Sequence, residues 1–172
     1  GLLKPTDGDI MIGDLNTREN PVGKLARQVG YVFQNPNHQI FAASVHEELS
    51  FGLKNIGLNE SEVETKVIEI AEEFLLTEYL ELNPYRLGFS LRKTVAMASI
   101  IAMEPNVVVL DEPTTGQDYS GVKTIKDSMA KLKSQGKTVI VVSHDMPLVA
   151  EETDRVLVMC NTELIFDGPP AD

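Results

Sequence analysis

The sequence predicts an α/β domain built on a parallel sheet, and three observations predict it. Val107-Val108-Val109-Leu110 is a short run of apolar, mostly β-branched residues, the composition of a strand covered on both faces. Thr138-Val139-Ile140-Val141-Val142-Ser143 is a second run of the same kind. Between them, residues 119–135 read as a helix, and Gly136 suits its left-handed terminator. A strand, a helix and a strand in that order make parallel neighbours joined by a crossover.

The rest of the chain fills in around that unit. Residues 9–14 read as a short strand after the turn at Pro5 to Gly8. Residues 28–34 carry Val29, Tyr31, Val32 and Phe33, a second strand that ends in a polar loop at Asn35-Pro36-Asn37. A helical portion starts near Ser44. Asn59 with Glu62 three residues on has the form of a capping box. Val63, Val67, Ile70, Ala71, Phe74 and Leu75 then recur at helical spacing and predict one buried face. The glutamates between them predict a solvated opposite face. Residues 90–103 read as another helix, with Val95, Ala98, Ser99 and Ala102 turned inward. Residues 145–152 form a short helix, and residues 155–160 and 163–167 form a strand pair around Asn161-Thr162.

Composition narrows the function. The chain has 172 residues, 42% of them hydrophobic and 24% charged, ordinary for one soluble domain. No apolar run approaches the roughly 18 residues of a membrane span. Residues 1–5 lack the basic and apolar regions of a signal peptide. The net charge of −11 argues against nucleic acid as the main partner, because phosphate binders present basic faces. The single cysteine, Cys160, permits no internal disulfide, and its place in an apolar run predicts a buried thiol.

Chemistry concentrates where strands end. The Val107 run ends in Asp111-Glu112-Pro113. Ligands of open α/β sheets sit beyond the carboxyl ends of the strands. One carboxylate there can help hold Mg²⁺ and the other can orient or deprotonate an attacking water. A pair of capping acids at a strand-to-helix turn reads equally well from these residues alone. The Thr138 run ends in Ser143-His144-Asp145, and a histidine so placed can donate to a phosphate oxygen or serve only locally. The Val29 run ends in Gln34, whose carbonyl oxygen can meet a metal.

In order, these strand ends resemble the ABC ATPase family, over essentially the whole chain. Gln34 matches the Q-loop glutamine, and Asp111 and Glu112 match the Walker B pair. Thr114-Thr115-Gly116-Gln117-Asp118 matches the D-loop, and His144 matches the switch histidine. Residues 34–41 and 45–52 look closest to the ATPases of energy-coupling-factor transporters, importers of vitamins or of cobalt and nickel ions. The resemblance implies a P-loop NTPase-like core over residues 1–43 and 105–172, and a mostly helical subdomain with the signature region over 44–104. It also implies that ATP and Mg²⁺ are bound, with Asp111 and Gln34 at the metal and Glu112 as general base. His144 would serve the γ-phosphate, and Asp118 would act across a dimer of ATPase subunits. A transmembrane coupling protein would dock on residues 34–52, placing the chain at the cytoplasmic face of the membrane.

Two features depart from the family pattern. No G-x-x-x-x-G-K-[ST] string occurs in the 172 residues. The family places that loop just before a segment like Gly1-Leu2-Leu3-Lys4-Pro5-Thr6, so the chain is expected to be a fragment that starts after it and does not bind ATP alone. Where the family has L-S-G-G-Q, this chain has Leu87-Gly88-Phe89-Ser90-Leu91. Ser90 is the one hydroxyl left there to cap the helix or reach a phosphate. Two functions follow: an ATP-hydrolysing subunit of a membrane importer, or a non-hydrolysing module that docks on a partner.

Overall fold

The structure, a computed structural model, describes residues 3–170. Gly1 and Leu2, the start of the segment expected to follow the family's phosphate loop, lie outside the described residues. The chain enters through a hairpin in which β1 (Met11–Ile12) pairs antiparallel with β2 (Leu15–Asn16). The single strand expected over residues 9–14 is thus two short ones, because Gly13, at φ 55°, turns the chain. One turn of helix, α1 (Val22–Leu25), leads into β3 (Val29–Val32). The loop expected at Asn35 to Asn37 is wound into a 3₁₀ turn over Pro36–His38, where the Asn35 side chain accepts from the Asn37 N–H at 3.0 Å.

The helices follow their local signals. Ser44 caps α2 (Val45–Asn55) by accepting from the Glu47 N–H at 3.1 Å. Both bonds of the capping box form at α3 (Glu60–Glu73). Asn59 Oδ1 accepts from the Glu62 N–H at 3.0 Å, and Glu62 Oε2 accepts from the Asn59 N–H at 2.8 Å. Val63, Val67, Ile70, Ala71 and Phe74 are buried as expected, and the glutamates between them are exposed. Leu75 is the exception at 74% exposed. It takes a left-handed conformation at φ 57° just past the helix, so it swings outward and Leu76 fills the core in its place.

The helix α4 spans Phe89–Ile101, a residue earlier at its start and two shorter at its end than expected. The strand β4 (Val107–Asp111) follows, then α5 (Tyr119–Ser134), which ends at Gly136 with φ 73°. Last come β5 (Thr138–Val142), α6 (Met146–Glu152) and the antiparallel pair of β6 (Val156–Cys160) and β7 (Glu163–Gly168). Arg155 ties that pair together through two 2.6 Å bonds to the Asp167 carboxylate.

A three-stranded parallel sheet runs β3-β4-β5, with Val32 opposite Leu110 and Leu110 opposite Val141. Val108 and Leu110, almost fully buried, join Val32, Val95, Ala98 and Met129 in one hydrophobic core. Burial of each such large apolar side chain contributes about 1.5–3 kcal/mol. The expectation of two covered faces fails at β5. Ile140 and Val142 are 48% and 52% exposed, because β5 is an edge strand whose alternate side chains point away from the helices. Cys160, expected to be buried, is exposed, since β6 and β7 pack mainly on each other.

Candidate functional site

The parallel register brings the carboxyl ends of β3, β4 and β5 side by side. Asp111 and Glu112, adjacent at the end of β4, turn to different neighbours. Asp111 Oδ2 accepts from the Tyr31 hydroxyl of β3 at 2.9 Å. That bond to a carboxylate raises the Tyr31 phenol above its ordinary value, with burial adding to it. Glu112 holds β4 to β5 one residue longer, its N–H donating to the Val142 carbonyl at 2.8 Å. Its backbone is left-handed, at φ 46°, and its side chain turns toward the end of β5. Both of its carboxylate oxygens lie 2.9 Å from His144 Nδ1.

This pair has a defined polarity. A carboxylate only accepts, so Nδ1 carries the proton and the other ring nitrogen faces outward. The hydrogen bond and the charge of Glu112 raise the His144 imidazole above its ordinary value. Its side chain is 82% exposed, against 16% for that of Glu112. A shielded carboxylate bonded to an open imidazole, at the mouth of a parallel sheet, can hold and pass a proton.

The loop after Glu112 is held from α4. Lys93 is buried, and its Nζ donates to the Glu112 carbonyl and, at 3.3 Å, to the Thr115 carbonyl. Burial lowers its pKa, and the charges of Glu112 and Asp111 oppose that shift. Ser90 does not cap α4. Gly88 holds the cap position, and the Ser90 hydroxyl donates instead to Gln117 Oε1 at 2.9 Å. The Phe89 ring lies 2.8 Å from where a Cβ on Gly116 would sit, and Gly116 is left-handed at φ 74°. A side chain there would collide with the ring. Asp118 accepts from the Gly121 N–H at 2.8 Å and so caps α5.

Of the residues singled out in the sequence, Asp111, Glu112 and His144 come together, and Ser90 meets the loop that leads to Asp118. Gln34 is exposed just past β3. Gln39 braces its loop, accepting from the Phe33 N–H at 3.2 Å and donating to the Ala96 carbonyl at 2.6 Å. A groove of about 670 Å³ opens beside that loop, lined by Gln39, Phe41, Glu48, Phe51, Gly52 and Met103 among others. Glu48 is buried there and accepts from the N–H groups of Phe41 and Ala42 at 3.1 and 3.0 Å.

Sequence reasoning missed Lys93, Tyr31, Gln39 and Glu48. Two of them left a signal. Lys93 falls on the apolar face that includes Ala96 and Met97, and Glu48 follows Val45 by three residues. A charge on a face that otherwise turns inward has a partner to find.

Comparison with known proteins agrees with this arrangement. Residues 1–115 match the ABC transporter family. A putative ABC transporter ATP-binding protein of Methanosarcina mazei is 44% identical over 98% of this chain, which spans 29% of that protein. The energy-coupling factor transporter ATP-binding protein EcfA of Methanothermobacter thermautotrophicus is 38% identical over 100% of the chain, which spans 56% of its length. The solved structure of cbiO1 from Clostridium perfringens, described as part of the ABC transporter complex cbiONQ, superposes with a TM-score of 0.86. It is 35% identical, and the match covers 99% of this chain and 69% of that one. The fold is the P-loop NTPase-like α/β fold of such ATPases, and the chain belongs to the ABC transporter family, among its ATP-binding proteins.

Proposed function

We propose that the chain forms most of the ATP-hydrolysing, energy-coupling part of an ABC-type membrane importer. The observation that carries the reading is the Glu112–His144 bond at the ends of adjacent parallel strands. In this reading Glu112 takes the proton of the attacking water. His144, kept in one tautomer by Glu112, offers its outer ring nitrogen to the terminal phosphate. Asp111 and the Gln34 carbonyl would hold Mg²⁺. Two oxygen donors fit an ion that fills its remaining positions with phosphate and water oxygens. When bound, the ion neutralises charge on the phosphates.

Residues 1–43 and 105–172 act as the α/β core and 44–104 as the helical subdomain. The groove beside Phe41 and Phe51 is apolar and open, which suits an amphipathic helix of a transmembrane partner. Asp118, just after the Gln117 loop, faces a second ATPase subunit. The importer class and a place at the cytoplasmic face of the membrane rest on the likeness to EcfA and cbiO1. No helix among the described residues is long and apolar enough to cross a membrane itself.

Glu112→Gln in the full-length protein tests the reading. It is expected to keep ATP binding and to lose on the order of 10²–10⁴-fold in turnover. Turnover equal to the parent would remove Glu112 from the base role. The 172 residues alone are expected to show no measurable Mg-ATP binding, since no G-x-x-x-x-G-K-[ST] string supplies a phosphate cradle. The altered residues 87–91 favour the second reading, a non-hydrolysing docking module. A calorimetric titration that detects tight binding by this chain rules the second reading out.

A further inference from the structure

We propose that Lys93 is a positioning residue for Glu112: its buried ammonium holds the backbone from which the Glu112 carboxylate is aimed at His144. The inference rests on the base role proposed for Glu112. Three observations support it. Lys93 is 3% exposed, yet among the described residues it has no carboxylate partner at hydrogen-bond distance; its Nζ donates to the main-chain carbonyls of Glu112 and Thr115. Glu112 is left-handed at φ 46°, a conformation that a residue with a Cβ holds only where its surroundings fix it. The turn after Glu112 has few backbone bonds of its own, and Thr114 Oγ1 also ties it to Asp145 Oδ2 at 2.9 Å. Within it, the Thr115 N–H donates to Glu112 O at 3.3 Å and the Gln117 N–H to Thr114 O at 3.1 Å.

A buried ammonium is costly, and a methionine would pack the same space without the cost. What the lysine supplies, and methionine does not, is a set of donors aimed at two carbonyls that leave the sheet ladder where the chain turns. The Glu112 N–H stays bonded to Val142, so the residue is pinned on one side by β5 and on the other by α4. With both sides held, the carboxylate points at the end of β5, where it meets His144 Nδ1. The same end of α4 grips the far part of the turn, through Phe89 against Gly116 and Ser90 on Gln117. Residues 89, 90 and 93 thus hold four points of the segment 112–117, at Glu112, Thr115, Gly116 and Gln117.

The test uses Lys93→Met and Lys93→Arg in the full-length protein, with Glu112→Gln alongside. Lys93→Met is expected to retain its melting temperature and to speed exchange of the Thr115 and Gln117 amide hydrogens about tenfold, with β4 and the rest of α4 unchanged. Its kcat for ATP is expected to fall on the order of 10²-fold with KM unchanged, as for a misplaced catalytic group. Lys93→Arg, which keeps the donors, is expected to recover most of both. Unchanged amide exchange in Lys93→Met overturns the proposal whatever happens to turnover. So does a loss of protection spread over the whole protein, which marks Lys93 as merely structural. A loosened turn with parental kcat overturns the link to catalysis; parental turnover in Glu112→Gln as well traces that failure to the base role of Glu112.

Discussion

The helices between Ser44 and Met103 and the strands after Lys137 treat their apolar residues in opposite ways. In the helical region Val45, Leu49, Leu53, Val67, Ala71 and Phe74 are each 2% exposed or less. In the later strands Ile140, Val142, Leu157, Met159 and Ile165 are between 48% and 62% exposed. The residue types are similar, so composition does not separate the regions. Geometry does. Three helices enclose a common interior, whereas an edge strand and a two-stranded ribbon have outer faces that their own residues cannot cover. The helical region therefore holds its stability internally, and the strand region depends on what lies against it.

Mutation can break or sharpen that contrast. The largest expected effect is that of Phe74→Ala, a cavity among α3 and its neighbours, at about 3–5 kcal/mol in urea unfolding. Ile140→Ala, in the other region, is expected to cost only about 1 kcal/mol or less, since half of its surface already meets solvent. Equal losses would abolish the distinction. Next is Asn59→Ala, which removes the capping box of α3 and is expected to cost about 1 kcal/mol, read by thermal denaturation.

The smallest effect lies at the seam, where the buried strand β4 delivers Glu112 and the exposed strand β5 delivers His144. The His144 midpoint is expected above the ordinary imidazole value in an NMR titration, and Glu112→Gln is expected to return it toward that value. The sign follows from the raised folded-state midpoint. The attraction is fully present below the unfolded value and is lost as pH rises through the folded one. A midpoint indifferent to Glu112→Gln would separate the two strand ends electrostatically.

Much of the molecule was legible where information is local. The Asn59–Glu62 cap needs only neighbours in sequence, and both its bonds form. The strand ends at Asp111-Glu112 and His144 were legible because a parallel sheet must align them. What could not be read depended on distant partners. The run 138–143 looks like a buried strand, and its letters do not say which faces are covered. Leu75 and Leu76 exchange places through a single left-handed residue. Lys93 finds Glu112 across 19 positions of sequence, and only the packing of α4 under the sheet end brings them together.

The left-handed backbone at Glu112 has a consequence for anyone who would improve this protein. A side chain in that conformation costs on the order of 1–2 kcal/mol, which glycine would not incur. A screen that rewards heat tolerance alone would therefore drift toward glycine at position 112. The winning variants would be hardier but without the carboxylate proposed as the base, because the most easily gained degrees of melting temperature sit under that acid.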